Sequence, residues 1–430
     1  MSATDPPSSK PPCDRADALA VLARLRQFGH EAYFAGGCVR DMLLKLEPKD
    51  WDIATDAPPD RVREIFSNTQ AVGAAFGVIL VRHAKSVVEV ATFRADGVYE
   101  DGRRPSSVRF TSASEDAQRR DFTINGLFYD PLENRVIDFV NGRADLDAKI
   151  LRAVGDPSQR FAEDHLRLLR AVRFAARFDL KIEPQTAAAI RQSADRLKGI
   201  SPERIGEELR LMLTPPTRTA AWKLLWDLDL APILFRFMPT IPAGIDMNQS
   251  IFMHLSPENT IPFGLALAAA SLCVDRNAHP QTPLIELLDN RRIAKSVHAM
   301  RQALRISNTE SDEMLETLDN LRPLLQADPP GIATRKRFLA ERAAELSQIL
   351  MQAMARVGIE KDRIEKILAG LSALSGEEIA PQPLLTGDDL VAAGFPPGPK
   401  FKQTLDAVYD AQLEGRVTSK EAALELARNL

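Results

Sequence analysis

Several residue types are scarce in this chain, and each scarcity closes a possibility. Cysteine occurs three times, at Cys13, Cys38 and Cys273. The number is odd, the spacing wide, and no Cys-x-x-Cys is present, so neither a disulfide framework nor a zinc ribbon can be read. A reducing, cytoplasmic setting is the simplest expectation. The six histidines show no metal-ligand spacing. Aromatics make up only 6% of residues, while Leu, Ala and Arg abound, which favours helix over an all-β design. The longest strongly apolar run, Phe263 to Val274, is too short to span a bilayer, so no membrane partner is expected. Net charge is −4, which argues against a histone-like mode of nucleic-acid binding but leaves room for a local basic groove. Met1 to Asp14 is rich in Pro and Ser without an apolar core, and reads as a disordered tail rather than a signal peptide. No fixed-period repeat is present.

What is there has two characters. A length of 430 residues suggests two to four domains. Arg15 to His30 carries Ala18, Val21, Leu22, Leu25 and Phe28 at helical spacing. Short strand patterns follow at Glu31 to Ala35, Lys49 to Ala54, Val78 to Val81, Ser86 to Phe93, Val108 to Thr111 and Leu127 to Tyr129, with a helix at Asp60 to Phe66. After Ile150 strand signals nearly vanish. One helix is expected over Phe161 to Phe178, another over Pro184 to Leu197, and a third over Ser201 to Leu213, which opens with Ser, Pro and Glu. The expected fold is therefore an α+β N-terminal region, a small mixed sheet with helices, followed by an all-α C-terminal region.

The chemistry concentrates in Asp50-Trp51-Asp52. On a strand, residues i and i+2 face the same way, so both carboxylates stand about 6–7 Å apart on one face. That spacing suits two magnesium ions roughly 3.5–4 Å apart, one activating a hydroxyl and one holding a triphosphate. A bare Asp-x-Asp is more often a solvated strand end. Its weight comes from Gly36-Gly37-Cys38-Val39-Arg40-Asp41 upstream. Two glycines before a helix let the backbone approach a phosphate, and Arg40 adds a guanidinium that can fork onto phosphate oxygens.

GGCVRD followed by KDWDIAT resembles the head of the class II tRNA nucleotidyltransferase and bacterial poly(A) polymerase family, within the polymerase-β superfamily. The resemblance continues through VEVATFR (Val88 to Arg94), RRPSSVRF (Arg103 to Phe110), RRDFTINGLFYD (Arg119 to Asp130) and RFAEDHLRLLRAVRF (Arg160 to Phe174). It is dense from about residue 16 to 215, fades, and returns near Thr386 to Gly415. It implies a disordered tail (1–14), a catalytic head (15–150), a helical neck that recognises the nucleotide base (151–215), a helical body without a His-Asp metal pair (216–380) and a helical tRNA-binding tail (381–430). It implies CTP and ATP as substrates, two magnesium ions on Asp50 and Asp52, the tRNA 3′ end as acceptor, and no protein partner. Gly36 and Gly37 would lie at the nucleotide.

The same resemblance assigns the remaining candidates. Arg120, Asp121 and Asn125 would handle the ribose and phosphates, with Asp121 accepting from the 2′-hydroxyl and Arg120 on phosphate. Asp164 and Arg167, expected at i and i+3 on one helix, would read the incoming base. Cytosine and adenine each present an amino donor beside a ring-nitrogen acceptor, which a carboxylate and a guanidinium complement. Guanine and uracil present the reverse and would leave groups unpaired. Arg170 and Arg173 continue the series, although an ideal helix puts Arg173 about 180° from Asp164. Glu89 is a candidate third carboxylate. The segment Thr92 to Arg104 resembles the loop that helps switch from C to A, which argues against a CC-only enzyme. In the tail, Lys400 and Lys402 would contact backbone phosphates. Where poly(A) polymerases carry a basic pair and a second Arg, this chain has Ala74, Ala75 and Gly77, which favours the tRNA branch. An A-adding or CC-adding specialist, a poly(A) polymerase and an inactive RNA-binding protein remain as alternatives.

Overall fold

The computed structural model describes residues 13–71, 77–97, 99, 102, 107–238, 240–242, 244–256, 258–396 and 398–430. The expectations for residues 1–12, for the comparison at 74 and 75, and for positions 98, 100, 101, 103 and 104 of the loop segment lie outside these residues. The chain forms two compact units, one holding residues up to Ser201 with 228–233, the other holding 202–227 and 234–430.

The first unit runs α1 (Arg15–Gln27), β1 (Ala32–Ala35), α2 (Gly37–Leu43), β2 (Ile53–Thr55), α3 (Pro59–Ile65), β3 (Thr69–Ala71), β4 (Val78–His83), β5 (Ser86–Thr92), β6 (Arg94–Asp96), β7 (Val108–Phe110), α4 (Ala113–Gln118), β8 (Leu127–Asp130), β9 (Arg135–Asp138), α5 (Gly142–Asp147), β10 (Ile150–Leu151), α6 (Pro157–Glu163), α7 (Arg167–Phe178), β11 (Lys181–Ile182) and α8 (Pro184–Ser193). Seven strands form one sheet in the order β3-β4-β5-β2-β1-β8-β9. Among the described residues its only parallel pair is β2 with β5, in register Ile53↔Val90. One face is covered by α1 and α3, where Val21, Leu22 and Leu25 meet Phe34, Ile53, Val88 and Val90. The other face carries Ala35, Ala54 and Phe128 against Ala113 and Ala117 of α4. Strand alternation thus divides each strand between two cores. From Ile150 on strand structure nearly vanishes, as expected, and what remains is short: β10 and β11 pair in parallel, and Phe122 bridges to Ala153. These links join the segment after 150 to the sheet region.

The second unit is helical: α9 (Pro202–Leu213), α10 (Arg218–Asp227), then, after α11 (Ala231–Leu234), α12 (Phe263–Ala278), α13 (Leu284–Leu287), α14 (Asn290–Leu304), α15 (Asn308–Asp319), α16 (Leu321–Gln326), α17 (Ile332–Ala340), α18 (Ala344–Arg356), α19 (Lys361–Ser372), α20 (Gly387–Ala392), α21 (Pro399–Leu413) and α22 (Lys420–Arg428). Every residue of α12 from Phe263 to Asp275 is buried. The last three helices have a small core of their own around Leu390, Val408 and Ala423.

Candidate functional site

The strand expected from Lys49 begins only at Ile53, so Asp50 and Asp52 precede β2 rather than lie on it. The ladder nevertheless reaches them, because the Ala35 N–H donates to the Asp52 carbonyl at 3.0 Å. Trp51 is buried, its ring 4.8 Å from that of Phe34, and Arg15 lies 5.3 Å over it. Asp50 and Asp52 are both half-buried and flank the buried Trp51. Asp52 stands beside the first turn of α2. Burial, followed by the Asp52 charge, pushes the Cys38 thiol up to about 12. Continuing the β2–β5 register by one residue places Asp52 level with Glu89, on the face opposite Val88 and Val90. The three carboxylates do not close into one group: among the described residues no set of three or more His, Cys, Asp or Glu is arranged to hold a metal ion. Two aspartates supply hard oxygen ligands, and magnesium completes such a shell with phosphate and water. That donor set fits magnesium without Glu89.

Beside this pair the chain turns at Gly36, whose φ of 72° belongs to the left-handed region. A Cβ there would stand 2.7 Å from Nη1 of Arg120. Glycine therefore lets Arg120 lie across the turn. That guanidinium donates to the Asn125 carbonyl at 3.2 Å and to Asp116 at 2.9 and 3.2 Å. Asp116 also accepts from Arg119 at 2.7 and 2.9 Å and from the Arg94 N–H. It is 1% exposed. Burial raises its pKa, but Arg120 and Arg119 prevail and hold it below the ordinary carboxylate range. Sequence reasoning missed Asp116. Its signal is Asp116 with Arg119 and Arg120 at i+3 and i+4 of a helix that Ser112 caps.

Arg40 is 4% exposed, and three of its five N–H donors go to Asp41 (2.6 and 2.8 Å) and Asn125 (2.5 Å). Its guanidinium stacks 4.2 Å over Phe178 and 5.2 Å over Phe174. It ties α2 to α7. Asp121 is likewise satisfied by protein groups. One oxygen accepts from the Phe122 N–H and Asn125, the other from Arg170 at 2.6 and 2.9 Å. Burial works to raise its pKa, yet Arg170 and Asn125 bring it down to about 2. In this arrangement Asp121 orients Arg170 and Asn125. Arg173 lies 4.6 Å over Phe174, and Arg177 reaches Asp41 at 3.5 Å.

The single helix expected over Phe161 to Phe178 is two. Helix α6 ends at Glu163, Asp164 takes extended backbone (φ −138°), and α7 starts at Arg167. The break arises because the Asp164 side chain accepts from the Leu166 N–H at 3.1 Å, a local bond that competes with the helix. Asp164 and Arg167 are therefore not one helical i, i+3 pair. Arg167 is held by Glu163 (2.5 Å) and by the carbonyls of Arg160 (2.9 Å) and Arg119 (3.3 Å). Arg160 binds Glu163 (2.8 Å) and the carbonyls of Arg119 (3.1 Å) and Gln118 (2.9 Å). The two arginines together cap the C-terminal end of α4. The loop segment meets the break: the His165 N–H donates to the Gly102 carbonyl at 3.2 Å. In the second unit, Lys400 and Lys402 are exposed on the first turn of α21.

Residues 32–152 match the family model described as the poly A polymerase head domain. Residues 179–241 match the model described as the probable RNA and SrmB-binding site of polymerase A. A CCA-adding enzyme of Geobacillus kaustophilus is 32% identical over 421 residues, spanning 96% of this chain and 95% of the relative. A poly(A) polymerase I of Salmonella typhi is 42% identical over 249 residues, covering 55% of this chain and 53% of its own length. The crystal structure of the Bacillus stearothermophilus CCA-adding enzyme in complex with CTP superposes with a TM-score of 0.66 at 28% identity, covering 96% of this chain and 97% of that one. With a relative above 30% identity over nearly its whole length, and with the Asp-x-Asp pair, the glycine turn and the arginine-rich break in one unit, the chain belongs to the CCA-adding enzyme and poly(A) polymerase family of nucleotidyltransferases.

Proposed function

We propose that the chain adds C and A to the 3′ end of tRNA from CTP and ATP without a nucleic-acid template. The observation that carries this reading is the half-exposed pair Asp50 and Asp52 beside a glycine turn crossed by Arg120. Magnesium bound at Asp50 and Asp52 would supply activation of the attacking 3′-hydroxyl and neutralisation of the leaving pyrophosphate. Arg120, oriented by Asp116, offsets triphosphate charge. The 3′-hydroxyl attacks the α-phosphorus in line, the bond to the β-phosphate oxygen breaks, and pyrophosphate leaves. Asp164 accepts from the exocyclic amino group of C or A and Arg167 donates to the ring nitrogen, with Glu163 holding Arg167 in place. Arg170 and Asp121 complete the nucleotide pocket, and Lys400 and Lys402 touch RNA phosphates. Among the described residues no helix is long and apolar enough to cross a membrane. The three cysteines are buried thiols, which suits a reducing cytoplasm.

Alignment length separates the two branches of the family. The CCA-adding relative covers 96% of the chain, whereas the poly(A) polymerase relative covers 55% of it. The higher identity within that shorter stretch keeps poly(A) synthesis as a second reading. Incorporation of single nucleotides into tRNAs lacking CCA, ending in C and ending in CC separates them. C into the first two and A into the third, then arrest, establishes CCA addition. A alone into the third marks an A-adding specialist. Long A tails on any RNA establish a poly(A) polymerase, and no incorporation into any of them removes the enzymatic reading.

A further inference from the structure

The outer face of α14 belongs to none of the features above. From Asn290 to Arg305 the chain carries Arg291, Arg292, Lys295, Arg301 and Arg305 and neither aspartate nor glutamate. The inner side is apolar: Ile293, Val297, Met300 and Leu304 are buried. Gly206 of α9 packs so closely that a Cβ would strike the Leu304 carbonyl. At about 100° per residue, Arg291, Lys295, His298, Arg301 and Arg305 fall within an arc of about 120° opposite that side. All five are exposed. Arg292 alone turns to the flank, where it pairs with Asp275 at 3.3 Å.

Helix α15, packed against α14, has the opposite composition, with Glu310, Asp312, Glu313, Glu316 and Asp319 and no Lys or Arg. Two such helices would be expected to neutralise each other, yet their charges are used elsewhere. Glu310 is bound by Arg210 at 2.7 Å and Glu316 by Arg342 at 2.9 Å. Among the described residues Arg291, Lys295 and Arg301 form no ion pair. Arg301 donates to Asn308 at 2.5 Å, and Arg305 makes a 3.4 Å pair with the exposed Glu203. Like charges one turn apart repel, so this row costs the folded state free energy, and within the fold only Arg301 and Arg305 find a polar partner among the described contacts of its cations. The row is about 21 Å long, enough to follow several phosphates. The helix has no Phe, Tyr or Trp, so it offers no platform for stacking single-stranded bases. Its neutral side chains, Asn290 and Gln302, suit phosphate and sugar oxygens.

We propose that the outer face of α14 is a docking ridge for the phosphate backbone of base-paired RNA, contacting the helical part of the substrate. The ridge lies outside residues 179–241, the stretch matched as a probable RNA-binding site, and apart from Lys400 and Lys402. The proposal rests on the reading of tRNA as substrate, but its test does not depend on catalysis. Equilibrium binding of a fluorescent tRNA is measured over a salt series with the full-length chain, beside the triple variant R291E/K295E/R301E and the conservative R291K/R301K. The triple variant should bind tRNA and a blunt RNA hairpin at least about tenfold more weakly. Its log–log salt slope should be shallower by roughly 0.9 per lost phosphate contact. The conservative variant should match the unmodified chain, and single-stranded oligonucleotide binding should not change. An unaltered tRNA affinity and slope in the triple variant, with an unaltered melting temperature, overturns the proposal. So does an equal loss for single-stranded RNA. If the unmodified chain binds tRNA but incorporates nothing, the catalytic reading fails while the ridge is still decided by the binding data.

Discussion

Asp50 with Asp52 and the cluster around Asp116 and Asp121 lie in one unit and are all acidic, yet their solvation is opposite. The first two are half-exposed, whereas Asp116 and Asp121 are 1% and 8% exposed, with arginines around them. Burying a carboxylate is costly unless it is paired and hydrogen-bonded, and the inner pair meets that condition several times over. The outer pair keeps access for a cation and a triphosphate. Motif residues adjacent in sequence thus divide into groups open to solvent and groups buried and paired. Arg40 and Asp121, which the sequence alone placed on the nucleotide, are buried among protein partners.

The comparison can be broken in order of expected effect. Asp52→Asn removes a metal-facing charge and should lower kcat by at least about 1,000-fold, with an unchanged melting temperature. A large loss of stability would show that Asp52 is a structural group. Asp116→Asn leaves two arginines without their buried partner and should destabilise the first unit by about 3–5 kcal/mol. Urea unfolding measures this, and a cost under about 1 kcal/mol would mean the arginines re-pair. Asp121 is depressed to about 2 from an ordinary 3.8. A depressed carboxylate contributes stability above its unfolded pKa and loses it as pH falls through the folded one. About 2 kcal/mol should therefore disappear between roughly pH 4 and 2. Asp121→Asn should flatten that part of the stability–pH curve, and an identical curve would exclude the assignment. Glu163→Gln weakens one charged partner of Arg167 at a partly exposed position. It should change the ratio of kcat/KM for CTP over UTP by about threefold to tenfold. Equal losses for all four nucleotides would instead mark a purely structural role.

Periodicity carried most of the elements. Helix α1, strands β4 and β5 and helix α9 follow the residues expected of them, because alternation or helical spacing coincides there with burial. The break at Asp164 was not legible, since the apolar spacing runs on through it and the interruption comes from one side chain bonding to a nearby N–H. The late start of β2 leaves Asp50 and Asp52 ahead of the strand, on either side of the buried Trp51. The role of Arg40 depends on Phe174 and Phe178, more than 130 residues away, and no local pattern announces such a stack. The signal for Asp116 was local and present, in its spacing to Arg119 and Arg120.

One carbonyl deserves a mechanical reading. Arg119 offers its oxygen to both Arg160 and Arg167, and the next residue is Arg120. Consecutive Cα atoms are about 3.8 Å apart and joined by a planar bond, so that peptide is a stiff strut. A displacement of the Arg167 guanidinium by more than about an ångström either breaks its bond to this oxygen or drags the strut, and Arg120 with it. The Arg167 and Arg120 guanidiniums are therefore two ends of one linkage, with little play between them.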